Sequence, residues 1–165
     1  MKSEPLIVEP GVGVTVPMGA SSLTIKLDAQ ATGGGLAVLD YDIAPDFLPP
    51  QRPHGHSRES QTIYVLQGEI RFDFENRTVD AIEGTVVHIP EGCSFTWRNS
   101  TSNRARMLYV FVPGGLEKFF VDVQNIYAEH PGVLPADIAP LVAELWAQYG
   151  IFSEGQFRES DEPVD

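Results

Sequence analysis

Pro53-His54-Gly55-His56-Ser57-Arg58-Glu59-Ser60-Gln61, closed by Gly68, and then Gly84-Thr85-Val86-Val87-His88-Ile89-Pro90-Glu91-Gly92-Cys93-Ser94-Phe95-Thr96-Trp97-Arg98-Asn99, decide how this chain folds. His54 and His56 are two residues apart, so on an extended chain both imidazoles point to the same side. Gly68, Gly84 and Gly92 punctuate the stretch at tight connections, where positive φ is often required. Between these marks the pattern gives strands at 61–66, 69–74, 78–82, 84–89, 94–99 and 106–112, with a turn at Glu75-Asn76-Arg77. Many short strands at regular spacing predict a sandwich or a barrel.

Upstream, Leu23-Thr24-Ile25-Lys26-Leu27 alternates apolar with polar, and Gly33-Gly34-Gly35 leads into a second such run at 36–43. Pro45, Pro49, Pro50 and Pro53 exclude a central strand from 44–53. That segment is read as an ordered loop delivering His54 and His56. Downstream, 116–123 suits a short helix. A better one opens at Leu134-Pro135-Ala136-Asp137, with Ile138, Leu141, Val142, Leu145 and Trp146 on one stripe and Gly150 as its stop. Residues 154–165 form an acidic, loosely held tail.

The 165 residues favour one domain, divided here into a barrel over about 20–113, a helical extension over about 115–150 and the tail. A net charge of −12 repels phosphate backbones and anionic membranes, which argues against nucleic-acid and membrane partners. No apolar run reaches the roughly 20 residues of a membrane helix. The first residues carry no basic segment followed by an apolar one, and Cys93 is the lone cysteine, so a cytoplasmic protein is expected.

The paired patterns resemble the cupin superfamily, whose first motif ends H-x-H-x4-E-x6-G and whose second reads G-x5-P-x-G-x2-H-x3-N. The His pair and every fixed Gly, Pro and Asn are present; Gln61 replaces the motif's Glu and Phe95 its His. Phe95-Thr96-Trp97-Arg98-Asn99, Ala105-Arg106-Met107-Leu108, the run Pro113-Gly114-Gly115-Leu116-Glu117-Lys118-Phe119-Phe120 and Tyr149-Gly150-Ile151 are similar to small quercetin-dioxygenase-like members. The resemblance implies an all-β double-stranded β-helix, the jelly roll, with a C-terminal helix packed outside. It also implies that His54, His56, Gln61, Phe95 and Trp97 meet inside the barrel.

His54 and His56 make a half-site for a divalent transition metal (Fe, Mn, Ni, Cu or Zn), with Gln61 as a third, neutral ligand; the alternative is a retained, hydrogen-bonded pair with no cofactor. Glu59 is either a solvated loop charge, the commoner fate of a lone Glu, or a replacement ligand or acid–base group. Phe95 with Trp97 forms either an aromatic wall or plain core. Tyr64, Asp40, Tyr41 and Asp42 are further candidate polar groups of the pocket. His88 is placed at the surface, Cys93 is not expected to be a nucleophile, and Arg98 and Arg106 are assigned to carboxylates of neighbouring strands.

The expected function is a small-molecule enzyme. His54, His56 and Glu59 would be catalytic, and Gln61, Phe95, Trp97 and Tyr64 would bind an aromatic or polyketide-like substrate. The reaction would be an acid–base cyclisation, isomerisation or elimination. Its alternatives are a metal-dependent dioxygenase and a non-catalytic binder. A homodimer joined at strand edges is expected.

Overall fold

A computed structural model describes residues 4–49 and 53–153 of the chain. Eleven strands and two helices follow one another as β1 (Val14–Met18), β2 (Ser21–Leu27), β3 (Ala37–Ile43), β4 (His54–His56), β5 (Ser60–Gln67), β6 (Glu69–Phe74), β7 (Arg77–Ile82), β8 (Val86–Ile89), β9 (Phe95–Arg98), β10 (Ala105–Val112), α1 (Glu117–Glu129), α2 (Pro135–Tyr149) and β11 (Ile151–Ser153). They form two antiparallel sheets, ordered β1-β2-β3-β10-β5-β8 and β11-β4-β9-β6-β7. This is the expected jelly roll.

The strands arise where apolar residues alternate. In β10, Ala105, Met107, Tyr109 and Phe111 are buried while the residues between them face out. β5 buries Gln61, Ile63 and Val65 by the same parity. Opposite them, Phe72 of β6 and Phe95 and Trp97 of β9 close the core from the second sheet. Burial of each large apolar side chain contributes roughly 1.5–3 kcal/mol, the term that holds the sheets face to face. Asn99 locks the end of β9. Its Nδ2 donates to the Ala44 and Asn103 carbonyls at 2.9 and 2.8 Å, and its Oδ1 accepts from the Thr101 N–H and hydroxyl at 3.0 and 2.8 Å.

The C-terminal extension is larger than the sequence suggests. α1 continues six residues past the expected 123, and β11 follows α2 with no apolar alternation to announce it. Only part of the predicted stripe on α2 turns inward. Ile138 is buried and Leu145 and Trp146 pack on the core, but Leu141 is exposed. α2 ends as expected at Gly150, whose left-handed φ of 71° closes the last turn. α1 is anchored by the buried Glu117 carboxylate, which accepts from the Ala29 N–H at 2.8 Å and the Gly115 N–H at 2.6 Å. The two helices are tied by the Tyr149 hydroxyl donating to Asp122 Oδ2 at 2.5 Å.

β11 pairs with β4 through Ile151↔His56, Phe152↔Gly55 and Ser153↔His54, whereas β4 meets β9 through the single pair His54↔Phe95. Gly55 makes this approach feasible: a Cβ there would lie 2.3 Å from the Phe152 ring. The Ser57 N–H and hydroxyl both donate to the Gly150 carbonyl at 2.9 Å, and Arg58 Nη1 donates to the Gln148 carbonyl at 2.7 Å. The extension therefore completes the strand that carries the histidines. The predicted loop ahead of it is irregular at 44–49; 50–52 and the predicted tail at 154–165 lie outside the described residues.

Candidate active site

β4, β5, β9 and β10 bring five of the predicted residues together inside the barrel. His54, His56, Gln61, Phe95 and Trp97 line one cavity with Tyr41, Tyr109, Phe111 and Trp146. The His54 ring centroid lies 5.2 Å from that of His56, 5.7 Å from Phe95 and 5.4 Å from Trp146. His56 stacks on Phe111 at 6.3 Å. Trp97 receives Tyr41 edge-on at 5.8 Å and stacks on Phe47 at 5.7 Å. The aromatic wall and the imidazole end are thus one surface.

Glu59 departs from the commoner fate of a lone Glu. It is 5% exposed, and its Oε1 lies 2.7 Å from His56 Nδ1. The turn after β4 produces this contact by folding Glu59 back three residues, and its anchor on Gly150 holds it there. In the neutral tautomer that donates from Nδ1 to this carboxylate, Nε2 is the ring nitrogen that carries the lone pair. Gln61 is 2% exposed and its side-chain amide makes no hydrogen bond to a described residue, so the amide is available to a ligand.

Other candidates lie elsewhere. Tyr64, expected to bind substrate, is 40% exposed on the outer face between Leu108 and Val86. It stands three residues from Gln61, and odd spacing on a strand reverses the side-chain direction. Asp40 and Asp42 also point outward, held by Arg106 and Arg104, while Tyr41 between them points in. Arg98 pairs with Asp73 as assigned. His88 is exposed, with Nδ1 3.0 Å from the Thr62 hydroxyl. Burial pushes the Cys93 thiol up, away from a reactive thiolate.

Sequence reasoning missed Tyr109, although its parity with Met107 and Phe111 marks it as inward. It also missed the cover over the barrel. Leu116, Phe119 and Phe120 at the start of α1 and Trp146 of α2 reduce the inner cavity to about 30 Å³. That is room on the scale of a water molecule, against roughly 300–1,000 Å³ for small-molecule sites. A groove of about 1060 Å³ lies alongside, between α1, α2 and β1. Met18, Phe119, Phe120, Trp146 and Ile151 line both spaces, so the groove leads to the chamber through these side chains.

The ligand set that the motif resemblance implies for a metal is incomplete here. Two imidazoles and one amide supply no negative charge, and the fourth position holds a phenyl ring on β9. Transition-metal sites commonly draw three or more N, O or S ligands that include good σ-donors or anions. Among the described residues no three His, Cys, Asp or Glu side chains converge to hold an ion. The described lining offers imidazoles, an amide and aromatic faces.

Comparison with known proteins agrees with the architecture. Residues 42–111 match the protein-family model of the Cupin domain. A probable germin-like protein, subfamily 2 member 5, of Arabidopsis thaliana is 31% identical over 112 residues, 63% of this chain and 48% of the relative; the chain thus spans about half that relative's length. KdgF from Halomonas sp. superposes with a TM-score of 0.59 at 14% identity, covering 70% of this chain and 99% of that one. A predicted oxalate decarboxylase from Thermotoga maritima gives 0.58 at 17%, covering 66% and 99%. Streptomyces Pac13, a nucleoside dehydratase, gives 0.54 at 15%, covering 70% and 88%. At these identities the superpositions show a shared fold.

Proposed function

This chain belongs to the cupin superfamily, and from that premise we propose that it is a small-molecule enzyme in which His56, oriented by Glu59, moves a proton on an aromatic or polyketide-like substrate. The reaction is a cyclisation, isomerisation or elimination. One observation carries this: a buried imidazole with a carboxylate on Nδ1 at 2.7 Å and its ring against the barrel chamber. The pairing fixes the tautomer, leaves Nε2 to take a proton, and stabilises the imidazolium that results. Returning that proton to a second atom of the substrate completes an isomerisation; returning it to a leaving oxygen completes an elimination.

The remaining side chains position the substrate. Gln61 offers an amide donor and acceptor beside the imidazoles, Phe95 and Trp97 present ring faces, and His54 packs between His56 and Trp146. The body of the substrate lies in the groove under α1 and α2. Its reacting end displaces the Trp146 and Phe120 rings to reach the chamber, which keeps bulk water from the transferred proton.

Hydrogen–deuterium exchange at the α-carbon of 1-indanone, a planar aromatic ketone, tests the proton transfer by NMR in D2O. The wild type accelerates exchange, and His56→Ala removes at least about 100-fold of it. Glu59→Gln retains the ring position and loses part. Exchange at the background rate in the wild type, or unaffected by His56→Ala, refutes the enzyme reading and leaves a ligand-binding protein. We also place the protein in the cytoplasm as a homodimer. The lone thiol supports the first, and the second is supported by the edge strand β1, where Val14 is 57% exposed. No described helix is long and apolar enough to cross a membrane.

A further inference from the structure

Two phenol groups in the chamber are not used by the His56–Glu59 pair. Tyr41 and Tyr109 are 4% and 3% exposed, line the cavity, and make no hydrogen bond to any described residue through their hydroxyls. Their rings lie 5.3 Å apart. Neither hydroxyl is sealed off as a fully buried unpaired atom, so each is open to an acceptor that enters the cavity the two residues line. Burial also raises both phenols well above their ordinary range, so they stay protonated and can donate at neutral pH.

Register fixes where they stand. Phe111 pairs with Gln61, Tyr109 is the next inward residue along β10, and Tyr41 pairs with Met107, the inward residue after that. The hydroxyl-bearing residues therefore sit one and two side-chain layers from Gln61, each layer about 6.7 Å along the strand. Tyr41 meets the edge of Phe120 at 6.2 Å, and Phe120 also lines the groove, so this end of the chamber adjoins the groove. Among the described residues no Lys or Arg lines the chamber. A carboxylate or phosphate entering it would lose its hydration without a fixed counter-charge.

We propose that Tyr41 and Tyr109 form an oxygen-binding subsite that takes the carbonyl of a neutral, planar ketone. This rests on the proton-transfer reading above and specifies its substrate class. His56 Nε2 takes the proton from the carbon next to the carbonyl. The C–H pair becomes the C=C bond of an enolate, and the carbonyl π pair moves to oxygen, where the two hydroxyls hold the developing charge by hydrogen bonds. The proton then returns to carbon, or to the vinylogous position in an isomerisation. Only the carbonyl end needs to enter the chamber; the rest of the ligand lies in the groove.

Paired probes test the subsite: 1-indanone against indane, which has the same ring system without the oxygen. Binding is followed by quenching of Trp97 and Trp146, the protein's two tryptophans. The wild type binds 1-indanone at least about tenfold more tightly than indane, as expected for two neutral hydrogen bonds. Tyr41→Phe with Tyr109→Phe brings the ratio to about one and leaves indane affinity within about twofold. Each single variant lowers the ratio, and decides the matter should the double variant fail to fold. Neither change removes a hydrogen bond within the described structure, and continued indane binding reports an intact groove. A ratio near one in the wild type, a ratio unchanged in the variants, or no binding of 1-indanone overturns the subsite. Carbonyl preference abolished by these variants, without α-carbon exchange in the wild type, supports the subsite and overturns only the proton-transfer reading. Exchange with a preference insensitive to the variants does the reverse.

Discussion

Phe95→His separates an aromatic wall from a missing ligand. Phe95 is 2% exposed, pairs across strands with His54, and packs its ring 5.7 Å from that imidazole and 6.3 Å from Phe74. Placing an imidazole there exchanges apolar contacts for a polar group with few partners, at a cost of about 1–3 kcal/mol. For a domain of this size 1 kcal/mol shifts Tm by about 2–4 °C, so the metal-free variant melts about 2–12 °C below the parent. The change also creates a third imidazole beside His54, His56 and Gln61. A divalent ion such as Ni2+ or Zn2+ present at about 100 times its Kd restores about 2.7 kcal/mol, or about 5–11 °C. The assay is thermal unfolding of parent and variant, each with EDTA and with the metal. The parent shows little metal-dependent shift and the variant shows most of its lost Tm returned. An equal response in both proteins refutes the argument that the phenyl ring is what breaks the ligand set.

Asn99→Ala removes four side-chain hydrogen bonds around a buried turn and is expected to cost about 2–4 kcal/mol in urea unfolding; a loss under about 1 kcal/mol contradicts that account. Ultraviolet titration of the folded protein leaves Tyr41, Tyr109 and Tyr149 protonated above the usual tyrosine range, the first two because of burial and Tyr149 because of burial and its Asp122 partner. Since the folded state holds protons that the unfolded chain releases near pH 10, stability declines as pH rises beyond that point; a full five-tyrosine titration before unfolding would contradict it. Light scattering at micromolar concentration gives twice 18.1 kDa for the homodimer, and a mass near 18.1 kDa removes it.

The strands were legible because each sheet has one buried face. Glu69–Phe74 is recovered with both ends, and the family resemblance carried by the two motifs anticipates the interior surface that His54, His56, Gln61, Phe95 and Trp97 share. Side-chain parity also governs Tyr64 and Tyr109. Counted from Gln61 it turns Tyr64 outward, and counted from Phe111 it turns Tyr109 inward. The burial of Glu59 was hidden because a three-residue turn, rather than a periodic element, decides it. The plugging of the barrel by Phe119, Phe120 and Trp146 was hidden too. Amphipathic spacing marks an inward helix face without saying which cavity it meets.

The pairing of β11 with β4 gives the site a late birthday. The histidine strand has one bridge to β9 and three to a segment almost a hundred residues further on. Contacts that distant in sequence are slow to form, so the body of the jelly roll can be in place while His54 and His56 still lack a neighbour along one edge. On a ribosome, the same strand waits for residues 151–153 to emerge before it can be framed. Framing of the histidine strand and closure of the core are then separate milestones for this chain, and a nascent barrel that already looks finished by its core would still lack the edge that pairs with His54 and His56.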